Sequence, residues 1–230
     1  MSEKNKFLVL GDGLLGSEIV KQTNWDYISR KKDNFDLNQM IDFVVKSDYN
    51  QIINCIGHVN TYSPRRKHHW EVNYEFVANL VDGLNSFQKI THISSDYVYC
   101  NSISDADELD VPVHARNWYS YTKLLSDGYV QLKSDNYLLI RTSFKEKPFM
   151  YPQGWMIKGN FDYVDVISEK IIKLVKSKAS GVYNLGTEKK TLFALGKQTN
   201  KDIEPTTDYI DETVPDDVSM NLGKLERKIC

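Results

Sequence analysis

Apolar and polar positions along this 230-residue chain change period from block to block. Short apolar runs at residues 6–10, 26–29, 51–57 and 89–94 are bounded by polar or glycine-rich positions, which predicts buried strands. Between them the apolar spacing stretches to three and four residues. One helix is predicted from residue 17 and another from about 37 to 46. Val72, Phe76, Leu80 and Leu84 put an apolar stripe on a helix over 70–84, with Asn73 on a different face. Further helices are predicted from residue 117 and over 164–175, followed by a strand at 181–184. Strands alternating with helices point to an α/β protein with a parallel sheet. The expectation is a Rossmann-like, doubly wound parallel sheet over residues 1–145. A small, reduced C-terminal substrate lobe over 146–230 packs partly back on it, with 200–217 as a long loop over the site.

The first strand runs directly into Gly11-Asp-Gly-Leu-Leu-Gly16 and then into a helix. Gly11 permits the tight turn, Gly13 lets backbone approach a pyrophosphate, and Gly16 lets helix and strand pack closely. The helix N-terminus offers unpaired N–H groups to phosphates, so Leu14 and Leu15 are expected beside a dinucleotide. An acid at the end of the second strand would bind a ribose 2′-hydroxyl, whereas an arginine suits a 2′-phosphate. Here the strand end reads Ser29-Arg30-Lys31-Lys32, with no acid before Asp33. That tilts the cofactor toward NADP(H) and leaves NAD open; the alternative account is a solvated basic turn. Asp36, beside Leu37, either caps the next helix or lies near the adenine. Cys55, Ile56 and Gly57 close the third strand, where a dinucleotide can cross the sheet edge.

The fourth strand breaks into Ser94-Ser95-Asp96-Tyr97, and 24 residues after Ser95 a helical segment presents Tyr119 and Lys123. Four residues apart, they share one helix face, while Tyr121 points elsewhere. An ammonium beside a phenol favours the phenolate, which suits a proton donor to a ketone oxygen. A Ser95 hydroxyl can hold the same oxygen. Three Tyr-x-x-x-Lys pairs occur (Tyr27/Lys31, Tyr119/Lys123 and Tyr129/Lys133), so spacing alone does not single one out. Only the middle pair follows a strand ending in Ser-Ser-Asp.

Composition narrows the classes. With 41% apolar and 12% aromatic residues the chain can bury a sizeable core, and a net charge of −2 argues against nucleic acid as partner. No apolar run approaches the ~20 residues that span a bilayer, and the first six residues do not read as a signal peptide. Cys55, Cys100 and Cys230 form neither a ligand spacing nor a disulfide framework, so a reduced, cytoplasmic chain is expected. The loop from His58 carries Arg65-Arg66-Lys67-His68-His69. It lacks a third ligand at a useful spacing, so no metal is expected. Arg65 and Arg66 either sit in a solvated loop or face substrate phosphates.

Ile93-Ser-Ser-Asp-Tyr-Val-Tyr99 and Tyr119-Ser-Tyr-Thr-Lys-Leu124 resemble the extended short-chain dehydrogenase/reductase superfamily. Within it they resemble the dTDP-4-dehydrorhamnose reductases, as do Leu139-Ile-Arg-Thr-Ser-Phe144, Asp162-Tyr-Val-Asp-Val166 and Gly181-Val-Tyr-Asn-Leu-Gly186. The resemblance implies that Ser95 holds a carbonyl oxygen, Tyr119 protonates it, and Lys123 binds the nicotinamide ribose and lowers the Tyr119 pKa. Asp96 and Tyr97 would border the substrate. Thr142 and Asn73 are counted with the cofactor residues, Asn73 otherwise being a satisfied helix residue or a brace for the active-site backbone. The implied activity is NADPH-dependent reduction of a 4-keto-6-deoxy nucleotide sugar. Another epimerase or dehydratase of the superfamily, or a non-catalytic NADP-binding regulatory subunit, is the alternative, and a homodimer is left open. The chain departs from the family in its shorter glycine motif. It also has only 18 residues between Ser143 and Asp162, where the family places more of its substrate pocket.

Overall fold

The structure, a computed structural model, describes residues 5–229; Cys230 and the first four residues of the N-terminal segment lie outside the described residues. Its centre is a six-stranded parallel sheet. The strands are β1 (Phe7–Leu10), β2 (Asp26–Ile28), β3 (Gln51–Asn54), β4 (Lys89–Ile93), β5 (Tyr137–Arg141) and β6 (Gly181–Asn184), in the order β6-β5-β4-β3-β1-β2. These runs are continuously apolar because helices cover both faces, so inward and outward positions are equally dry. Strand alternation divides them between two cores. Val9, Ile53, Ile93 and Ile140 pack with Ile19 of α1 (Leu14–Thr23) and with Ile167 and Ile171 of α5 (Val164–Lys176). Leu8, Leu10, Ile52, Ile90 and Leu139 pack on the other face. Their partners there are Met40 of α2 (Leu37–Lys46), Phe76 and Leu80 of α3 (Phe76–Gly83), and Val130 of α4 (Trp118–Lys133). Among the described residues no helix is long and apolar enough to cross a membrane.

The chain lays β2 on one side of β1 and β3 on the other, so the strand order reverses there. In open α/β sheets the crevice at such a reversal, beyond the carboxyl ends of the strands, is where ligands bind. The sixth strand comes from the C-terminal part of the chain, and α5 packs beside α1 in the main core. A separate small cluster of Phe149, Phe161, Tyr163, Leu195 and Ile203 marks the remainder of that part. There Gln153–Trp155 pairs with Glu204–Thr206, and Lys158–Gly159 with Lys190–Thr191.

Several elements differ from the periodicity reading: α1 begins at Leu14 rather than at residue 17, and residues 200–217, expected as one long loop, carry the strand Glu204–Thr206. The second strand stops at Ile28, and Ser29 caps a single helical turn, Arg30–Asp33, by accepting the Lys32 N–H at 2.9 Å. The third strand stops at Asn54, so Cys55, Ile56 and Gly57 lie beyond its end. Residues Trp70–Glu75 form a π-helical turn ahead of α3 rather than its first turns. The wider turn leaves Val72 only half-buried and carries Asn73 fully inside, where hydrogen bonds satisfy its amide.

Candidate active site

The glycine turn adopts the geometry that its residues demand. Gly11 has φ +95°, open to glycine at little cost, and a Cβ on Gly16 would lie 2.0 Å from the Gly11 carbonyl oxygen. A Cβ on Gly13 would meet nothing within 4 Å. Gly13 is the N-cap of α1, no side chain caps that end, and no acid occupies its first turn. Open backbone N–H groups at the positive end of a helix fit a pyrophosphate.

A cavity of about 400 Å³ opens from this turn along the carboxyl ends of the strands. Gly13, Leu14 and Leu15 line one end, and Cys55, Ile56 and Gly57 follow from beyond β3. Ile93 to Tyr97 arrive from β4, Tyr119 and Lys123 from α4, and Thr142 to Lys145 from beyond β5. Ser95, Asp96, Tyr97, Tyr119, Lys123 and Thr142 are thus brought together with most of the glycine-turn set.

Asn117 starts α4 by accepting the Ser120 N–H at 2.9 Å, which sets the phase of the helix. Tyr119 and Lys123 then face inward and are buried, while Tyr121 is 36% exposed. The Lys123 ammonium donates to the Ile93 carbonyl at 3.0 Å. Ser95 caps the 3₁₀ turn Asp96–Tyr99; its Oγ accepts the Tyr97 N–H at 3.1 Å and donates to Asp96 Oδ1 at 3.2 Å. Burial pushes the Tyr119 phenol up to about 12, against the pull of a hydrogen bond with Ser95. Burial pushes Lys123 down to about 8, with Asp127 and Cys55 holding it up. The lowered phenol implied by a neighbouring Lys123 is therefore replaced by a raised one. At Tyr119 the Asp96 and Asp127 charges push the same way as burial, and at Lys123 the loss of water outweighs the pull of Asp127 and Cys55.

Asn73 braces this arrangement. Its Oδ1 accepts the His58 N–H at 2.7 Å, while its Nδ2 donates to the His58 carbonyl at 3.2 Å and to Thr122 Oγ1 at 3.4 Å. It thereby ties the segment after β3 to α4 one residue before Lys123, and it does not line the cavity.

The remaining expected cofactor residues lie outside the cavity lining. Asp36 is a helix cap, accepting the Gln39 N–H at 2.8 Å in a reciprocal capping box ahead of Leu37. Arg30 and Lys31 are exposed on their helical turn, and Ser29 is buried beneath it. Arg65 and Arg66 are exposed as well, and the Arg66 guanidinium stacks 4.3 Å from the Trp118 ring. His58 and His69 meet edge to face at 4.6 Å, and among the described residues no group of His, Cys, Asp or Glu could hold a metal ion.

The fold also supplies residues that sequence reasoning did not single out. Lys145 is half-buried in the cavity wall beside Asp96; burial pulls its ammonium down and the Asp96 charge holds it up. Burial pushes the Asp96 carboxyl up to about 7, and its Oδ2 has no hydrogen-bond partner. The Tyr62 and Tyr97 hydroxyls lie 2.7 Å apart, and Trp155 meets Tyr62 edge-on at 6.0 Å, completing an aromatic wall. Lys145 had a local signal, lying four residues beyond the end of the fifth strand; Tyr62 and Trp155 are joined only by the fold. Behind the site, Arg141 is bound to Asp127 at 2.9 Å and to the Tyr99 hydroxyl at 2.6 Å.

The sequence profile of the NAD dependent epimerase/dehydratase family matches residues 9–144. No curated protein is matched by the sequence. Among solved structures, a hypothetical dTDP-4-dehydrorhamnose reductase from Sulfolobus tokodaii superposes with a TM-score of 0.83 at 20% identity, covering 96% of this chain and 94% of that one. A dTDP-4-dehydrorhamnose reductase from Bacillus anthracis in complex with NADP gives 0.81 at 18% identity, covering 97% and 93%. A UDP-glucuronic acid 4-epimerase from Bacillus cereus in complex with NAD gives 0.71 at 13% identity, covering 97% and 89%. At such identities the likeness is one of fold.

Proposed function

The chain belongs to the NAD dependent epimerase/dehydratase family, and we propose that within it this protein is an NADPH-dependent reductase of a 4-keto-6-deoxy nucleotide sugar. The observation that carries the reading is the convergence of Ser95, Tyr119 and Lys123 in one cavity that ends at the glycine turn. A bound nicotinamide would supply hydride. Ser95 and Tyr119 hold the ketone oxygen, and Tyr119 delivers the proton as charge develops there. The Lys123 ammonium, fixed by the Ile93 carbonyl, stabilises the phenolate left behind. On the substrate side Tyr62, Tyr97 and Trp155 offer apolar faces to a deoxy sugar, and Asp96 and Lys145 offer hydrogen bonds to its polar groups. Arg30 and Lys31, after β2, favour the phosphorylated cofactor.

One observation favours a second reading, epimerisation beside the keto group. A buried carboxyl with a pKa of about 7 and an unpartnered oxygen suits proton exchange at carbon near neutral pH. The deciding assay follows NADPH absorbance against a panel of 4-keto-6-deoxy nucleotide sugars in deuterated buffer. Stoichiometric loss of NADPH supports reduction. Deuterium entering the sugar carbon without NADPH loss supports epimerisation, and neither result on any substrate overturns both.

A further inference from the structure

Asp12 occupies the second position of the glycine turn, which the motif leaves free in residue type. The fold carries its carboxylate to the end of β2, where Oδ2 accepts the Ser29 hydroxyl at 2.9 Å. Ser29 is 1% exposed and held on both sides: its N–H donates to Asp33 Oδ2 at 2.9 Å, and its Oγ accepts the Lys32 N–H at 2.9 Å. The Asp12 carbonyl in turn accepts the Ser17 hydroxyl at 2.7 Å, tying the turn to α1. Asp12 is therefore a positioned, half-buried carboxylate at the strand end where this class of fold binds the adenosine ribose. An acid at that place ordinarily comes from the second strand, and here the strand ends without one. Two lines of sequence 17 residues apart have been brought together to replace it.

Opposing charge lies close by. Arg30 and Lys31 are exposed on the turn that follows Ser29, while the Lys32 ammonium is turned back onto the Tyr27 carbonyl at 2.9 Å. A ribose bound at this strand end would have the Asp12 carboxylate on one side of its 2′-position and the Arg30 and Lys31 side chains on the other. We propose that Asp12 is a cofactor-selecting residue that accepts a hydrogen bond from a ribose 2′-hydroxyl and repels a 2′-phosphate, narrowing the preference for NADPH that Arg30 confers. This inference rests on the cofactor reading above but not on the identity of the sugar.

Asp12→Asn keeps the shape of the side chain and an acceptor for Ser29 while removing the charge. The test measures dissociation constants of NADPH and NADH by titration calorimetry for wild type, Asp12→Asn and Asp12→Ser at low and moderate salt. Both variants should bind NADPH about tenfold more tightly than wild type at low salt, with NADH binding unchanged or weaker. The gain should shrink as salt screens the charges. A ratio of the two constants that stays at the wild-type value in both variants overturns the proposal, as does equal weakening of both cofactors. If the wild-type chain binds cofactor but reduces no sugar, the substrate reading fails alone. If it binds neither cofactor, both readings fall.

Discussion

The Lys123 ammonium donates to the carbonyl of Ile93, the last residue of β4, at 3.0 Å, two positions before Ser95. One buried hydrogen bond thus sets the helix that carries Tyr119 against the strand end that carries the serine hydroxyl. Tyr119→Phe keeps the ring and its packing and removes only the proton. General acids contribute about 10²–10⁴-fold, so turnover should fall in that range while cofactor affinity stays near wild type. Tyr121→Phe, on the exposed face, should leave turnover unaltered. Steady-state rates on an accepted substrate decide the assignment, and a Tyr119→Phe enzyme with half of wild-type activity would reject it.

Cofactor choice follows from charge at the end of β2. Arg30→Asp replaces a cation with an anion on the turn after Ser29 and should reverse the order of NADPH and NADH binding. A charge-assisted contact to phosphate is worth roughly 1.5–3 kcal/mol, or about tenfold or more in affinity. Titration of both cofactors checks this, and identical ratios in wild type and variant would contradict it.

Asp96 gives the stability a definite pH dependence. Its carboxyl is pushed from 3.8 up to about 7 by burial, so the folded state favours the protonated form. The associated stability is fully present below about pH 4 and is lost as pH rises through about 7. Asp96→Asn has no charge to bury. Its Tm relative to wild type should therefore climb across that window, reaching an advantage of at least roughly 2–4 °C at pH 8. Melting curves with parallel pH slopes for the two proteins would refute the burial argument.

Gly13 and Gly16 should separate folding from binding. A Cβ at Gly16 would collide with the Gly11 carbonyl, and Gly11 is itself anchored by its N–H to the Ile28 carbonyl at 2.9 Å. Gly16→Ala should cost about 1–3 kcal/mol of stability or more. A Cβ at Gly13 meets no protein atom, so Gly13→Ala should melt like wild type yet bind cofactor more weakly, because the methyl group enters the phosphate cradle. Denaturant melts and cofactor titration of both variants test the pair. A Gly13→Ala chain that binds as wild type does would place the phosphates elsewhere.

The buried Arg141–Asp127 pair supports α4 from behind. Arg141→Met would leave the Asp127 carboxylate buried without its partner, at a cost of about 3–5 kcal/mol. Chemical denaturation reads this directly, and a loss below about 1 kcal/mol would show that the pair is dispensable.

The sequence by itself determined what depends on neighbours along the chain. The apolar runs of β1, β3 and β4 and the strand–glycine–helix order at residues 7–23 are properties of adjacent residues. The spacing that puts Tyr119 and Lys123 on one face of α4 is set by helix geometry alone. Even locally, periodicity was silent on the π-helical turn. That turn carries Asn73 inward, where its amide pairs with His58, 15 residues away, a contact that no rule of apolar spacing encodes. Only the tertiary structure decided that Asp12 meets Ser29, that Lys145 faces Asp96, and that Tyr62 reaches Tyr97. Those contacts depend on strand order. Placing β1 between β2 and β3 converges the ends of distant strands on one crevice, and no periodicity within any single segment encodes which ends will meet.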